Sequence, residues 1–510
     1  MIGTNVRRLG LYLLLGFAVM SGGLAYWQVI DAPQLAARED NPQVIAAHRS
    51  QPRGTIFDAR GEVVASSTVT DGVSRRSYVD PAFSHLLGYA SLRFGTTGIE
   101  RAFDDLLTGR ADPNPIRDLV GEILARRPEP KDLTLTIDRR LQDFAAAQLG
   151  SSIGAVIALD PSTGAILAIT STPTFDATPI SGEPEPAGVA MDSIRAQPNN
   201  PLVARDRQRY TPGSIMKVFT AAAALDGGAI TSRTTFPDQP KQETEGFTVE
   251  GFTITEHDLS PVQPALWDLS PALQVSSNIY FAHVGLELGA ERFLEYARRF
   301  GFCSALAIGP SGRELPVAPS YVTAPTDDGC APFSDQVELA SASFGQARVD
   351  VTPIQMALVA ATIGNGGAMP HPFAVRDVRS HSDGAPSANV LETYAGGGGR
   401  GVVSGGTAAT VRSAMIDAVE GPLGALYAGA GAVKLYGVSG VKTAGKTGTA
   451  QRGEGQQPHS WFIGFAPAQE GAAPAIAVAV LVEGGGSGSG NAAPIGGAVM
   501  AEWLKLQAGG

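Results

Sequence analysis

Residues 154–170, GAVIALDPSTGAILAIT, consist of two apolar runs on either side of Pro161-Ser162-Thr163-Gly164. Short apolar runs broken by a Pro/Gly turn read as a hairpin of buried strands. A second strand-rich region lies far downstream, at 445–451, 460–466 and 475–482. The block between them is helical in pattern, with helices expected over 214–226, 264–275 and 279–300, and over 352–363 and 407–419; another is expected over 491–505. Strand-rich runs on both sides of a helical block predict one sheet assembled from both ends of a large domain.

Working outward, residues 133–150, LTLTIDRRLQDFAAAQLG, read as a short strand, then Asp138 as a helix cap, then an amphipathic helix ending at Gly150. Upstream of it, residues 31 to about 130 are Arg/Asp-rich and broken by proline. They hold one strand–turn–strand signal, TIFDARGEVVA at 55–65, with Arg60-Gly61 at the turn. About a hundred residues suffice for a small module but not for a second large catalytic domain.

Residues 9–30, LGLYLLLGFAVMSGGLAYWQVI, carry no charge. As a helix they would span about 33 Å, enough for a bilayer core of about 30 Å. Arg7 and Arg8 precede the run, and Asp31, Glu39 and Asp40 follow it. The positive flank predicts a cytoplasmic tail over 1–8, an uncleaved anchor over 9–30 and an extracytoplasmic remainder. A cleavable signal peptide is the competing reading, because Ser21, Gly23 and Ala25 are small. The run 475–483, AIAVAVLVE, is too short for a second span and reads as a buried strand.

The chain has 510 residues, room for two to four domains. A net charge of −11 argues against a nucleic-acid partner. Two cysteines without close Cys/His spacing exclude zinc fingers. Cys303 and Cys330 are left open between a disulfide and two free thiols. Only seven of the 38 basic residues are lysine, so a motif built on lysine stands out.

Three short motifs carry chemistry. The first is Ser214-Ile215-Met216-Lys217 within YTPGSIMKVFTAAAALDGG (210–228). Pro212 and Gly213 open a helix that Gly227-Gly228 closes, so Ser214 and Lys217 share one face of its first turn. A serine hydroxyl needs a base to become a nucleophile, and burial drives a lysine toward its neutral, basic form. The helix N-terminus adds N–H groups for a developing oxyanion. A decoy, Ser439-Gly440-Val441-Lys442, lies between glycines with no helix to align its ends. The second motif, Ser276-Ser277-Asn278, falls between two helical patterns, where a helix cap is the plainer reading. Its decoy, Ser387-Ala388-Asn389, lies in a Pro/Ser/Gly loop. The third is Lys446-Thr447-Gly448-Thr449, a lysine and two hydroxyls suited to holding a carboxylate on a strand edge, with Gly448 allowing close approach of a ligand backbone. Residues 440–447 also satisfy the phosphate-loop pattern G-x-x-x-x-G-K-[ST], but GTAQRGEGQQP follows, where a phosphate loop requires a helix. Tyr210, Trp461 and His459 lie near the motifs and are read as packing residues.

In this order, Ser-x-x-Lys, Ser-x-Asn and Lys-Thr-Gly-Thr resemble the active site of penicillin-binding proteins and serine β-lactamases. The rest of the chain resembles class B penicillin-binding proteins, closest to the short actinobacterial A type. The matching stretches run through RGTIFDARGEVVASS, GTTGIERAFDDLLTG, LTIDRRLQ, SSNIYFA, FGQARVDVTPIQMALVAATIGNGG, AGKTGTAQ and HSWFIGFAP. Ile215-Met216 depart from the common Thr-Phe, and the segment between the first two motifs is long.

The resemblance implies a multi-domain α/β chain. An N-terminal pedestal or dimerisation-type module would occupy 31–150, and a transpeptidase domain of antiparallel sheet between helical clusters would occupy 151–510. It implies a peptidoglycan D,D-transpeptidase that β-lactams trap as an acyl-enzyme. Ser214 would attack the penultimate D-Ala carbonyl of a stem peptide, with Lys217 as base. Ser276, helped by Lys446, would pass a proton to the leaving D-Ala. Asn278 would bind the donor amide, and Lys446, Thr447 and Thr449 the terminal carboxylate. Gly448 completes that strand, and backbone N–H groups of Ser214 and Thr449 would form the oxyanion hole. No metal or organic cofactor is implied. A D,D-carboxypeptidase, a β-lactamase-type hydrolase and a non-catalytic cell-wall scaffold are the rivals. The chain has no Glu-x-x-Leu-Asn segment of the kind that activates water in class A β-lactamases. No glycosyltransferase-sized domain precedes the motifs, so a separate membrane glycosyltransferase of the elongation or division machinery is the expected partner.

Overall fold

A computed structural model describes residues 2–27, 51–111, 129–382, 384–397, 399–427, 440–453 and 455–509. The chain divides into two compact units, residues 1–52 with 67–76, and residues 53–66 with 77–510.

The first unit contains helix α1 (Ile2–Ala25). Its large apolar side chains, among them Leu14, Phe17 and Val19, are exposed. Among the described residues no helix is both long and apolar enough to cross a membrane. The end of the expected span, residues 28–30, lies outside the described residues.

Two larger sheets organise the described residues. The strands that form them are β1 (Ile56–Phe57), β2 (Val63–Thr70), β3 (Val73–Tyr78), β4 (Lys131–Leu135), β5 (Gly154–Leu159) and β6 (Ile166–Thr172). Downstream come a separate hairpin, β7 (Phe247–Val249) and β8 (Phe252–Ile254), then β9 (Val375–Ser380) and β10 (Val390–Thr393). The last three are β11 (Ala444–Ala450), β12 (His459–Ala466) and β13 (Ile476–Val482). The helices that bear on the site or core are α2 (Arg139–Leu149), α3 (Met216–Asp226), α4 (Gln239–Glu245), α5 (Leu269–Gln274) and α6 (Asn278–Leu288). They are followed by α7 (Ala290–Arg299), α8 (Gln336–Ala342), α9 (Pro353–Gly364), α10 (Gly405–Glu420) and α11 (Ala492–Ala508).

The central sheet has the order β11-β12-β13-β5-β6, and every pairing is antiparallel. It joins the two ends of the domain as the sequence pattern predicts, with β13 against β5 at Val480↔Val156. Period-two alternation sends successive residues to opposite faces. Val156, Ala158, Val478 and Val480 pack with Leu141, Ala145 and Leu149 of α2 and with Val499 and Met500 of α11. Ile157, Ile463, Ala479 and Leu481 pack instead into the larger core with α3 and α9. A sheet covered on both faces explains why β13 is apolar without interruption.

The second sheet, β10-β9-β4-β1-β2-β3, mixes N-terminal strands with two from residues 375–393. Those two were not read in the sequence, because polar residues in VRDVRS mask the pattern. The turn at Gly61, with φ +89, is held by Asp58, which accepts from the N–H of Arg60 (2.9 Å) and Glu62 (2.8 Å). Asp138 caps α2 by accepting from the Arg140 N–H at 2.9 Å.

Two expected helices are corrected. The stretch 279–300 is two helices, because Gly289 adopts φ +80 and ends α6 before α7 begins. The stretch 264–275 is helical only over Leu269–Gln274, and Trp267 ahead of it turns its indole N–H to Glu243 at 2.8 Å. Cys303 and Cys330 form a disulfide, which closes the alternative the sequence left open.

Candidate active site

A cleft of about 390 Å³ opens between three elements of the second unit. The first is the turn Gly213–Ile215 with α3 behind it. The second is the bend between α5 and α6, and the third is β11, an edge strand of the central sheet. Ser214, Ser276, Asn278, Thr447 and Thr449 line it. Lys217, Lys446 and Gly448 lie buried beneath it. All three predicted motifs therefore meet.

The Ser214 turn and the strand approach closely because both carry glycine. A Cβ on Gly448 would come within 2.9 Å of the Pro212 carbonyl and 3.2 Å of the Ile215 nitrogen. Gly213, at φ +58, donates its N–H to the Gly345 carbonyl at 3.0 Å. This contact seats Phe344-Gly345-Gln346 against the turn, and Phe344 and Gln346 join the cleft wall.

Lys217 is fully buried at the centre of the cluster. Its Nζ lies 3.0 Å from Ser214 Oγ, 3.1 Å from Ser276 Oγ and 2.8 Å from Asn278 Oδ1, and it also bonds the Ser276 carbonyl. Burial holds its pKa well below that of an ordinary lysine; the charge of Lys446 pushes the same way, while Glu256 opposes it. A neutral amine has two N–H groups and one lone pair. The Asn278 and Ser276 carbonyls can accept the two N–H groups, which leaves the lone pair for a serine hydroxyl. Lys446 donates to Ser276 Oγ at 2.9 Å and to the Thr447 carbonyl at 3.0 Å, and burial lowers its pKa to about 7. Ser276 is held at φ +60, a conformation L-residues rarely adopt, and this points its hydroxyl between the two lysines.

On β11 the alternation turns Thr447 and Thr449 outward and Lys446 and Gly448 inward. Thr449 Oγ1 accepts from the Gly488 N–H at 3.3 Å. Lys446 sits inside a strand that leads to β12 rather than into a helix, which excludes the phosphate-loop reading. Trp461 is buried and donates to the Thr211 carbonyl at 3.0 Å, and Tyr210 packs edge-on to it and to His459.

Sequence reading missed part of the wall: His257, Asp258, Gln451, Ser487 and Ser489 also line the cleft. It also missed Glu256 behind the second motif. His257 and Glu256 belong to the long segment between the first two motifs, where no periodicity marks them. Among the described residues no cluster of His, Cys, Asp or Glu could hold a metal.

Residues 154–501 match the penicillin binding protein transpeptidase domain, and residues 53–132 match the penicillin binding protein A dimerisation domain. The chain is 34% identical to the peptidoglycan D,D-transpeptidase PbpA of Mycolicibacterium smegmatis, over 99% of each chain. It is 34% identical to PbpA of Mycobacterium tuberculosis, over 94% of this chain and 93% of that one. The solved imipenem acyl-enzyme complex of penicillin-binding protein A from M. tuberculosis superposes with a TM-score of 0.75 at 33% identity, covering 90% of this chain and 99% of that one. The penicillin G acyl-enzyme complex of the same protein gives 0.74 at 34% identity, with 89% and 100% covered. With fold, motifs and near full-length similarity in agreement, the chain belongs to the penicillin-binding protein transpeptidases, as a class B member of the PbpA type.

Proposed function

We infer that the chain is a serine-type peptidoglycan D,D-transpeptidase that β-lactams acylate. The observation that carries this reading is a buried, desolvated Lys217 amine 3.0 Å from the Ser214 hydroxyl, at the floor of an open cleft. Ser214 Oγ attacks the carbonyl carbon of the penultimate D-Ala of a stem peptide, and its proton passes to Lys217 Nζ. Backbone N–H groups of Ser214 and Thr449 receive the developing oxyanion. As the C–N bond breaks, the leaving D-Ala nitrogen takes a proton through Ser276 Oγ, which lies between the two lysines. Lys446, Thr447 and Thr449 hold the donor's terminal carboxylate, whose charge favours the ammonium form of Lys446. Gly448 lets the donor backbone lie along β11, and Asn278 bonds its amide. The acceptor amine of a second strand then attacks the Ser214 ester, forming the crosslink and returning the proton to Ser214.

In this reading residues 1–8 are a cytoplasmic tail and 9–30 a membrane anchor, which places the cleft outside the membrane. The uncharged run of residues 9–30, the exposed apolar flank of α1 and Arg7-Arg8 ahead of it support the assignment. Residues 31–150 form the pedestal, whose last helix, α2, packs on the central sheet, and 151–510 form the transpeptidase domain. A separate membrane glycosyltransferase supplies the polymer strands.

The test uses the full-length chain in detergent with a fluorescent penicillin. Wild type is labelled covalently, while Ser214→Ala and Lys217→Ala are not. Labelling retained in Ser214→Ala removes it as nucleophile. Given a stem-peptide donor and an amine acceptor, the product contains the acceptor; hydrolysed donor alone would favour a carboxypeptidase.

A further inference from the structure

Behind the Ser276-Ser277-Asn278 bend lies a buried carboxylate that the reaction above does not use. The Glu256 side chain is 2% exposed. Its Oε1 accepts from the Asn278 N–H at 2.9 Å, and its Oε2 accepts from the Ile279 N–H at 3.1 Å and the Ser277 hydroxyl at 2.8 Å. His257 Nδ1 lies 2.7 Å from Oε1. The first backbone groups of α6, an eleven-residue helix, thus converge on one carboxylate. Asn278, whose backbone it grips, presents its Oδ1 to Lys217, and Ser276, next to the Ser277 it bonds, presents its hydroxyl and carbonyl there.

Glu256 shares the Ser277 hydroxyl with a second buried carboxyl, Glu243. Ser277 Oγ lies 2.8 Å from Glu256 Oε2 and 2.9 Å from Glu243 Oε1, and it also accepts from the Tyr280 N–H at 3.1 Å. One hydroxyl hydrogen can serve only one of the two carboxyl groups at a time, and Glu243 Oε1 has two further donors, the Gln239 amide at 2.7 Å and the Trp267 indole at 2.8 Å. Glu243 Oε2 is buried without a partner, and burial raises the pKa of that carboxyl. Burial works to raise the pKa of Glu256, but His257, the charge of Lys217 and the Asn278 N–H outweigh it and hold the carboxyl below its ordinary value. Of the two carboxyl groups, Glu256 is the one whose surroundings favour the anion. The charged or titratable groups around it are His257 and Asp258 on its own loop, Glu243 from α4, Lys217 from α3 and, through Ser276, Lys446 from β11.

We propose that Glu256 is a positioning residue for acylation: it holds the Ser276-Ser277-Asn278 bend in register with Lys217, and its negative charge sets the acid limb of the pH profile. The inference rests on the reading of Lys217 as base. Replacing the anion by an amide removes an acceptor from the head of α6, and it withdraws a charge that favours the Lys217 ammonium. The two effects act in different directions on different observables. The bend loosens, which slows acylation, while Lys217 loses its proton more readily, which moves the acid limb to lower pH. Loss of packing or capping alone lowers the rate and leaves the limb in place.

The experiment measures the second-order rate of acylation by fluorescent penicillin against pH, on the full-length chain. Glu256→Gln is expected to acylate at least about tenfold more slowly at the plateau, the scale of a lost hydrogen bond to a charged group, with the acid limb at lower pH. Glu256→Asp keeps the charge but shortens the reach, so it slows acylation and leaves the limb where wild type has it. Glu243→Gln leaves Glu256 and its contacts to α6 in place, and the charges that bear on Lys217 are those of Lys446 and Glu256, so the limb is unmoved. A wild-type rate and limb in Glu256→Gln, or a limb that moves with Glu243→Gln and not with Glu256→Gln, overturns the proposal. Should Glu256→Gln fail to fold, Glu256→Asp decides: a wild-type plateau rate overturns positioning. Wild type that is never acylated, or Ser214→Ala that still is, overturns instead the reading on which the proposal stands.

Discussion

Lys446→Met should be more stable than wild type at neutral pH and less stable in alkali, while losing acylation. Lys446 is buried, and its pKa falls from an ordinary 10.5 to about 7. Below pH 7 the lysine is charged in both folded and unfolded chains, and the full penalty of burying the charge opposes folding. Between pH 7 and 10.5 the folded chain has lost the proton that the unfolded chain still binds, so stability rises with pH. Above 10.5 the penalty is gone. At pH 7 the shift amounts to about 4 kcal/mol of destabilisation. Methionine is of similar length and removes that penalty, but it forfeits two hydrogen bonds, to Ser276 Oγ and to the Thr447 carbonyl, at about 1 kcal/mol each. The net is a gain of about 2 kcal/mol at pH 7 and a loss of about 1 kcal/mol near pH 10. Urea melts of the full-length chain and the variant at both pH values, followed by tryptophan fluorescence, measure the difference. Fluorescent penicillin scores acylation in parallel. A stability difference of the same sign and size at both pH values would refute a charge-burial penalty at this site.

Other substitutions probe the geometry. Gly448→Ala places a methyl 2.9 Å from the Pro212 carbonyl and forces β11 away from the Ser214 turn. Acylation should drop by one to two orders of magnitude, with about 1–3 kcal/mol of stability lost, read by labelling rate and thermal melt. Reducing the disulfide by the double change Cys303→Ser, Cys330→Ser reopens a loop of 27 residues, and urea melts should show a loss of about 3 kcal/mol. Trp461→Phe leaves the Thr211 carbonyl without the indole N–H and should cost about 1–3 kcal/mol.

Much of the site was legible before any coordinates. Ser214 and Lys217 are three residues apart on one turn, so local helix geometry alone aligns them. The sheet strands announced themselves as apolar runs because both faces are covered, as in β13. The split at Gly289 was a misreading of apolar periodicity that continues across a left-handed glycine. Strand β9 was missed because Arg376, Asp377 and Arg379 satisfy one another across it, and polar pairs erase the strand signature. Glu256 and Glu243 left no trace, since an isolated glutamate in a long connecting segment is by default a solvated one.

The amino-acid order by itself determined which residues could do the chemistry, because a serine, a scarce lysine and a hydroxyl-rich strand edge are chemical types that neighbours cannot create. It also determined where the sheet's two halves lie in the chain. Only the tertiary structure decided that Lys217 is fully buried, that Ser276 lies between two amines, and that Glu256 is held toward its anion while burial raises the pKa of Glu243. Each of these depends on groups tens to hundreds of residues apart being brought within about 3 Å, and proton affinity is set by that company rather than by the residue's own identity.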